Sequence, residues 1–128
     1  MNSNFFQGRR VEITVGIDIL DIKRLEKVIE RYKEKFIKRI YTTKEIEHIP
    51  AQNRSYYMAV SFSFKEAIWK SLPDAQQKEF SFKDISIIWD NDTPYPVLKD
   101  RAGDCGLTLN FFVKGKNIIT TAIFSPQR

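Results

Sequence analysis

One cysteine, Cys105, and one histidine, His48, remove several kinds of chemistry at once. A lone cysteine leaves no internal disulfide and no cysteine-rich zinc site, and it points to a reducing, intracellular setting. A lone histidine rules out a multi-histidine metal centre within one chain. His48 reads as an ordinary helix residue and Cys105, in the turn-like GDCG, as a spare thiol with no base near it in sequence. No stretch approaches the ~18 uninterrupted apolar residues that a membrane-spanning helix requires. The opening MNSNFFQGRR lacks the apolar run of a secretory signal. Repeats, low-complexity tracts and linkers are also missing. The expectation is a cytoplasmic protein with no membrane partner, residues 1–10 forming a tail and residues 11–128 a single domain.

Charge is present but unevenly spread. The net value is +5 (21 basic against 16 acidic residues), and residues 21–41 alone hold eight Lys or Arg against four Asp or Glu. Such a segment calls for an acidic partner. Nucleic acid fits poorly. Glu26, Glu30 and Glu34 are interleaved with the basic residues and would repel phosphates, and no zinc finger or RNA-binding motif is present.

VEITVGIDI (11–19) alternates strictly, which predicts a half-buried strand whose aliphatic row (Val11, Ile13, Val15, Ile17, Ile19) faces the core and whose Asp18 leaves on the opposite side. Ile22, Leu25, Val28, Ile29, Tyr32, Phe36 and Ile40 recur at helical spacing. Thr42-x-x-Glu45 is a capping-box signature for a second, short helix stopping near Pro50. YYMAVSFSFKEAIWKSL (56–72) reads as a third helix closed by Pro73, and PDAQQKEF as a polar connection. Further on, FKDISIIWD (82–90) alternates as a strand and NDTPYP is turn chemistry before a short extended stretch at Val97–Leu98. LTLNFFV and NIITTAIF flank KGK as a terminal hairpin. One strand, three helices and then antiparallel strands make an α+β domain.

Two acids stand out. Asp18 leaves a strand on its non-core side, while Glu66 lies in an aromatic-rich helix one turn before Lys70. Two carboxylates from separate elements, with few other ligand types nearby, suit Mg²⁺, which binds one or two carboxylates and completes its shell with water and phosphate oxygens. Spacing alone does not bring the two acids together, and by itself it favours ordinary surface acids, with Glu66 and Lys70 a simple helix pair.

Four blocks in register resemble the holo-acyl-carrier-protein synthase family of 4′-phosphopantetheinyl transferases. They are GIDILDIKR (16–24), YTTKE (41–45), FSFKEAIWKSL (62–72) and FKDISI (82–87), and the likeness runs over roughly residues 11–124. It implies a phosphopantetheinyl transferase-like fold and transfer of the 4′-phosphopantetheine arm of coenzyme A to a serine of an acidic acyl carrier protein. Asp18 and Glu66 would hold Mg²⁺, with Glu66 and Lys70 catalytic. Lys65 and Thr108, at matching positions, would contact coenzyme A, and Arg54 would substitute for a phosphate contact. Arg24, Lys27 and Arg31 would grip the carrier protein. Relatives of this size imply a homotrimer with active sites between subunits. Non-catalytic binding of carrier protein or coenzyme A is the alternative role.

This chain also departs from the family pattern. Ser61 stands where an arginine is usual, PDAQQKEF replaces a glycine-containing loop, and Pro94-Tyr95-Pro96 replaces Gly-Lys-Pro. LTLNFF lacks the histidine of the family's V-S-[IL]-S-H, and KDRAGDCG is shorter than the helix usual there.

Overall fold

The computed structural model describes residues 13–99 and 106–125. The expected tail at 1–10, the start of the first strand at Val11 and Cys105 lie outside the described residues. In chain order the elements are β1 (Thr14–Asp21), α1 (Ile22–Ile40), α2 (Thr43–His48), α3 (Arg54–Ser71), α4 (Asp74–Glu79), a 3₁₀ turn (Phe82–Asp84), β2 (Ile85–Asp90), β3 (Thr93–Leu98), β4 (Leu107–Lys114) and β5 (Asn117–Phe124). Two antiparallel sheets result, one ordered β1-β5-β4 and the other a β2-β3 hairpin. Among the described residues no helix is long and apolar enough to cross a membrane.

The central element is α3, packed across the inner face of β1 and β5. Ala59, Val60, Phe64, Ala67 and Ile68 are buried on it and join Ile85, Ile87, Trp89, Ile118 and Ala122 in the main core. Complete burial of a side chain such as Phe64 contributes ~1.5–3 kcal/mol. The α3–β1 approach is close because position 16 is glycine. A Cβ there would collide with the Ala67 carbonyl and lie 2.7 Å from the Ser71 amide nitrogen.

That approach turns β1 over relative to the sequence expectation. Gly16 faces α3, whereas Ile13, Val15, Ile17 and Ile19 are 54–68% exposed on the outer face of the sheet. Alternation revealed the two faces of the strand but not which one meets the helix.

The capping box of α2 forms as expected: Thr42 Oγ1 accepts from the Glu45 amide at 3.0 Å and the Glu45 carboxylate accepts from the Thr42 amide at 2.9 Å. The KGK hairpin is also present, turning at Gly115 with φ 62°. Four details differ from expectation. Helix α1 is interrupted at Lys33 (φ 47°, ψ −123°), and Tyr32 just before it is exposed under the Arg31 guanidinium. PDAQQKEF contains α4, clamped by Gln77, whose side-chain amide donates to the Trp69 carbonyl at 2.9 Å while the Trp69 indole donates to the Gln77 carbonyl at 3.3 Å. Residues 85–89 are all buried, so β2 is a fully covered strand. The prolines extend the short stretch at Val97–Leu98 into β3, which among the described residues pairs only with β2; having no N–H, Pro94 and Pro96 suit such an edge.

Candidate active site

Ser63, Glu66 and Lys70 recur at helical spacing and share one side of α3, the side against which β1 lays Asp18. Asp18 is held at both oxygens: Ser63 Oγ donates to Oδ2 at 2.8 Å and Lys70 Nζ to Oδ1 at 3.1 Å. Lys70 also donates to the Ile17 carbonyl at 3.1 Å, which fixes the ammonium against the strand. Ser63 is aligned in turn by Thr120 of β5, whose hydroxyl lies 2.8 Å from Ser63 Oγ and donates to the Ser63 carbonyl at 3.0 Å.

Glu66 sits beside this pair, half-buried. Desolvation raises its pKa above the ordinary carboxylate range, the Asp18 charge adds to the rise, and Lys70 opposes it. The sequence-level Glu66–Lys70 pair is therefore redirected, because the salt bridge Lys70 makes is to Asp18. Two carboxylates close enough to repel, in partial burial, form an oxygen donor set that a divalent cation would relieve. Among the described residues no cluster of three or more His, Cys, Asp or Glu forms, so such an ion would take two protein carboxylates and fill its shell from water or substrate.

Beside Glu66 opens a cleft of about 450 Å³, lined by Arg39 and Ile40 of α1, Glu66 and Trp69 of α3, and Phe80, Ser81 and Phe82. Its walls are aromatic and its charges are Glu66 and Arg39. Trp69, bonded to Gln77 of α4 through its indole and its carbonyl, is 38% exposed at this rim.

Three expected coenzyme A contacts are not in this cleft. Lys65 is completely buried, and its ammonium is taken by the Glu45 carboxylate and by the carbonyls of Ile40 (2.7 Å) and Phe82 (2.8 Å). With all three N–H donors used, no donor remains for a phosphate. Burial pushes Lys65 down and Glu45 up, while their mutual attraction opposes both shifts. Glu45 also accepts from the Ile87 amide at 3.1 Å, tying α2 and α3 to β2. Arg54 opens α3, twelve residues before Glu66 and so ~18 Å away along the axis. Thr108 is exposed on the outer face of the three-stranded sheet, opposite Asp18. Arg24, Lys27 and Arg31 are exposed along one side of α1.

Two of the departures from the family pattern meet at one place. Ser61 is buried and accepts from the Trp89 indole at 2.9 Å. Phe111, at the position of the family histidine, stacks edge-on against Trp89 (centroids 5.7 Å apart) and Phe64 (5.6 Å). Sequence reasoning passed over Ser63 and Thr120. The available signal was Ser63 itself, a hydroxyl three residues before Glu66 and so on the same side of the helix.

The chain belongs to the 4′-phosphopantetheinyl transferase superfamily, whose profile matches residues 14–120. It is 42% identical over 91 residues to a holo-[acyl-carrier-protein] synthase of Fusobacterium nucleatum, a match covering 70% of this chain and 72% of that protein. In other bacterial proteins of the same name the matched stretch spans 60% to 83% of the relative's length. The fold is similar to that of the Chronobacterium ammoniagenes apo-synthase (TM-score 0.73, 23% identity, covering 93% of this chain and 100% of that one). It is also similar to the Helicobacter pylori holo-[acyl-carrier-protein] synthase in complex with coenzyme A (TM-score 0.65, 27% identity, covering 84% and 96%).

Proposed function

We propose that this chain transfers the 4′-phosphopantetheine group of coenzyme A to a serine of an apo acyl carrier protein, giving holo carrier protein and 3′,5′-ADP. The observation that carries the reading is the Asp18–Glu66–Lys70 cluster, which Gly16 allows β1 and α3 to assemble next to an aromatic-walled cleft. Asp18 and Glu66 are the residues that would hold Mg²⁺. When bound, the ion neutralises the coenzyme A diphosphate and the charge that grows on the leaving group.

The chain's own residues then divide the work. Ser63 and Thr120 keep Asp18 in one orientation. Lys70, held beside Asp18 and the Ile17 carbonyl, would offer its positive charge to the diphosphate in the transition state. Glu66, with its raised pKa, accepts the proton of the attacking serine at a carboxylate oxygen. Arg24, Lys27 and Arg31 present positive charge along α1 to the acidic carrier, in the cytoplasm.

The reading includes a homotrimer. The outer face of the three-stranded sheet aligns Ile19, Ile119 and Phe112 in one row and Val15 beside Ile123 in another. A water-facing apolar surface of this kind supports a subunit interface. Thr108 lies on that face, and Arg54 lies far from its own cleft, so both would serve a neighbouring subunit's site.

The test is purified protein with coenzyme A, Mg²⁺ and a panel of apo carrier proteins, followed by intact mass. A phosphopantetheine-sized gain on one carrier serine is expected. No gain on any carrier, with folded protein that binds carrier or coenzyme A, would replace the transferase with a scaffold.

A further inference from the structure

A second cavity opens on a different part of the surface, near the end of the β2-β3 ribbon remote from its Asn91–Asp92 turn. It measures about 480 Å³ and is lined by Thr42, Thr43 and Lys44 at the start of α2, Lys83 of the 3₁₀ turn, Ser86 of β2, and Val97, Leu98 and Lys99 at the end of β3. It shares no lining residue with the cleft at Glu66. Its charged residues are all lysines, contributed by separate segments.

Two acids near these lysines in the chain are committed elsewhere. Glu45 is buried against Lys65 and two backbone amides, and Asp84 caps the 3₁₀ turn through the Ser81 amide at 2.7 Å. Among the described residues none of Lys44, Lys83 and Lys99 has an ion-pair partner.

Hydroxyl geometry points the same way. Thr42 Oγ1 and Ser86 Oγ lie 2.7 Å apart and share one hydrogen bond. Two O–H groups make that bond with one proton, and Thr42 is already an acceptor for the Glu45 amide. The accepting hydroxyl of the pair therefore keeps its own proton, with no acceptor for it among the described residues. A hydroxyl donor and three ammonium groups in a concavity within the ~300–1,000 Å³ range of small-molecule sites make a receptor for a multiply charged anion.

We infer that this cavity binds a small ligand carrying two phosphate groups, at a site separate from the catalytic cleft. The ligand's oxygens accept from the lysines and from the free Thr42/Ser86 hydroxyl.

The experiment titrates inorganic pyrophosphate into isotope-labelled protein at fixed ionic strength, with sulfate as the control, and follows the backbone amides. Saturable shifts centred on Lys44, Lys83, Ser86 and Lys99, matched by no saturation with sulfate, are expected. A Lys44→Gln/Lys99→Gln variant should bind pyrophosphate roughly tenfold or more weakly, the scale of lost charge-assisted hydrogen bonds. Ser86→Ala, which leaves every charge in place, should also weaken binding. Equal saturation with sulfate, shifts confined to residues around Glu66, or unchanged affinity in both variants would each overturn the site. Loss of the transferase reading leaves this titration untouched, so the two failures are distinguishable.

Discussion

Lys70 bonds to Asp18 across the helix–strand contact, Nζ to Oδ1 at 3.1 Å, while Glu66 on its own helix face receives only its electrostatic influence. The pairing crosses 52 residues of sequence, so the local spacing on α3 gave no sign of it. Replacing Lys70 by Ala should lower turnover by roughly 10²–10³, the usual loss for one preorganised charge stabiliser. Stability should fall by no more than ~1 kcal/mol, because the pair is partly exposed. Single-turnover kinetics and denaturant melts on the same variant check both numbers, and unchanged turnover would remove Lys70 from the chemistry.

Glu66→Gln should abolish Mg²⁺-supported transfer yet stabilise the fold near neutral pH. The sign follows from the raised pKa. Below the ordinary glutamate pKa the residue is protonated in folded and unfolded chains alike, and its favourable contribution is complete; that contribution is lost as pH rises through the higher folded pKa. Glutamine keeps the neutral form at every pH. The gain in melting temperature should therefore be present at pH 7 and vanish in acid below the ordinary glutamate range. A variant less stable than wild type at pH 7 would contradict the desolvation and Asp18 repulsion that raise the Glu66 pKa.

Lys65→Met removes one partner of a buried pair and leaves Glu45 charged in the core. The expected loss is ~3–5 kcal/mol. At a temperature where the variant is still folded, KM for coenzyme A should stay near wild type, because the Lys65 donors all end on protein acceptors. A large rise in KM without a drop in stability would return Lys65 to the substrate site.

Arg24→Glu should raise KM for carrier protein several-fold and leave KM for coenzyme A little changed. Exposed charges act mainly on encounter, and screening over ~8 Å at physiological salt weakens them. Wild-type rates at limiting carrier should fall with added salt more steeply than those of the variant. Equal effects on both substrates would assign Arg24 to the coenzyme A site.

Ile19→Asp places a charge in the apolar row with Ile119 and Phe112. Under the proposed assembly, sedimentation should show loss of the trimer, and transfer should fail with it if each site draws on two subunits. If the face were simply solvated, a change at a residue 68% exposed would stay within ~0.5 kcal/mol and leave the mass unaltered.

Local rules of the chain were enough for the capping box at Thr42 and Glu45, the turn at Gly115, the two faces of β1 and the extent of α3. Each depends on residues within a few positions of one another, where periodicity and capping chemistry operate. The four blocks resembling a known family carried the identities of Asp18, Glu66 and Lys70. Tertiary structure alone decided the rest. Which face of β1 meets α3 was settled by the missing Cβ at Gly16, since only that face lets backbone approach backbone. Lys65 went inward because Glu45, Ile40 and Phe82 offered three acceptors from distant segments. Lys70 turned to Asp18, and Ser63 to the same carboxylate, only once strand and helix were in contact. A side chain's partner is set by what packing brings within about 3 Å of it, and no local period encodes that distance.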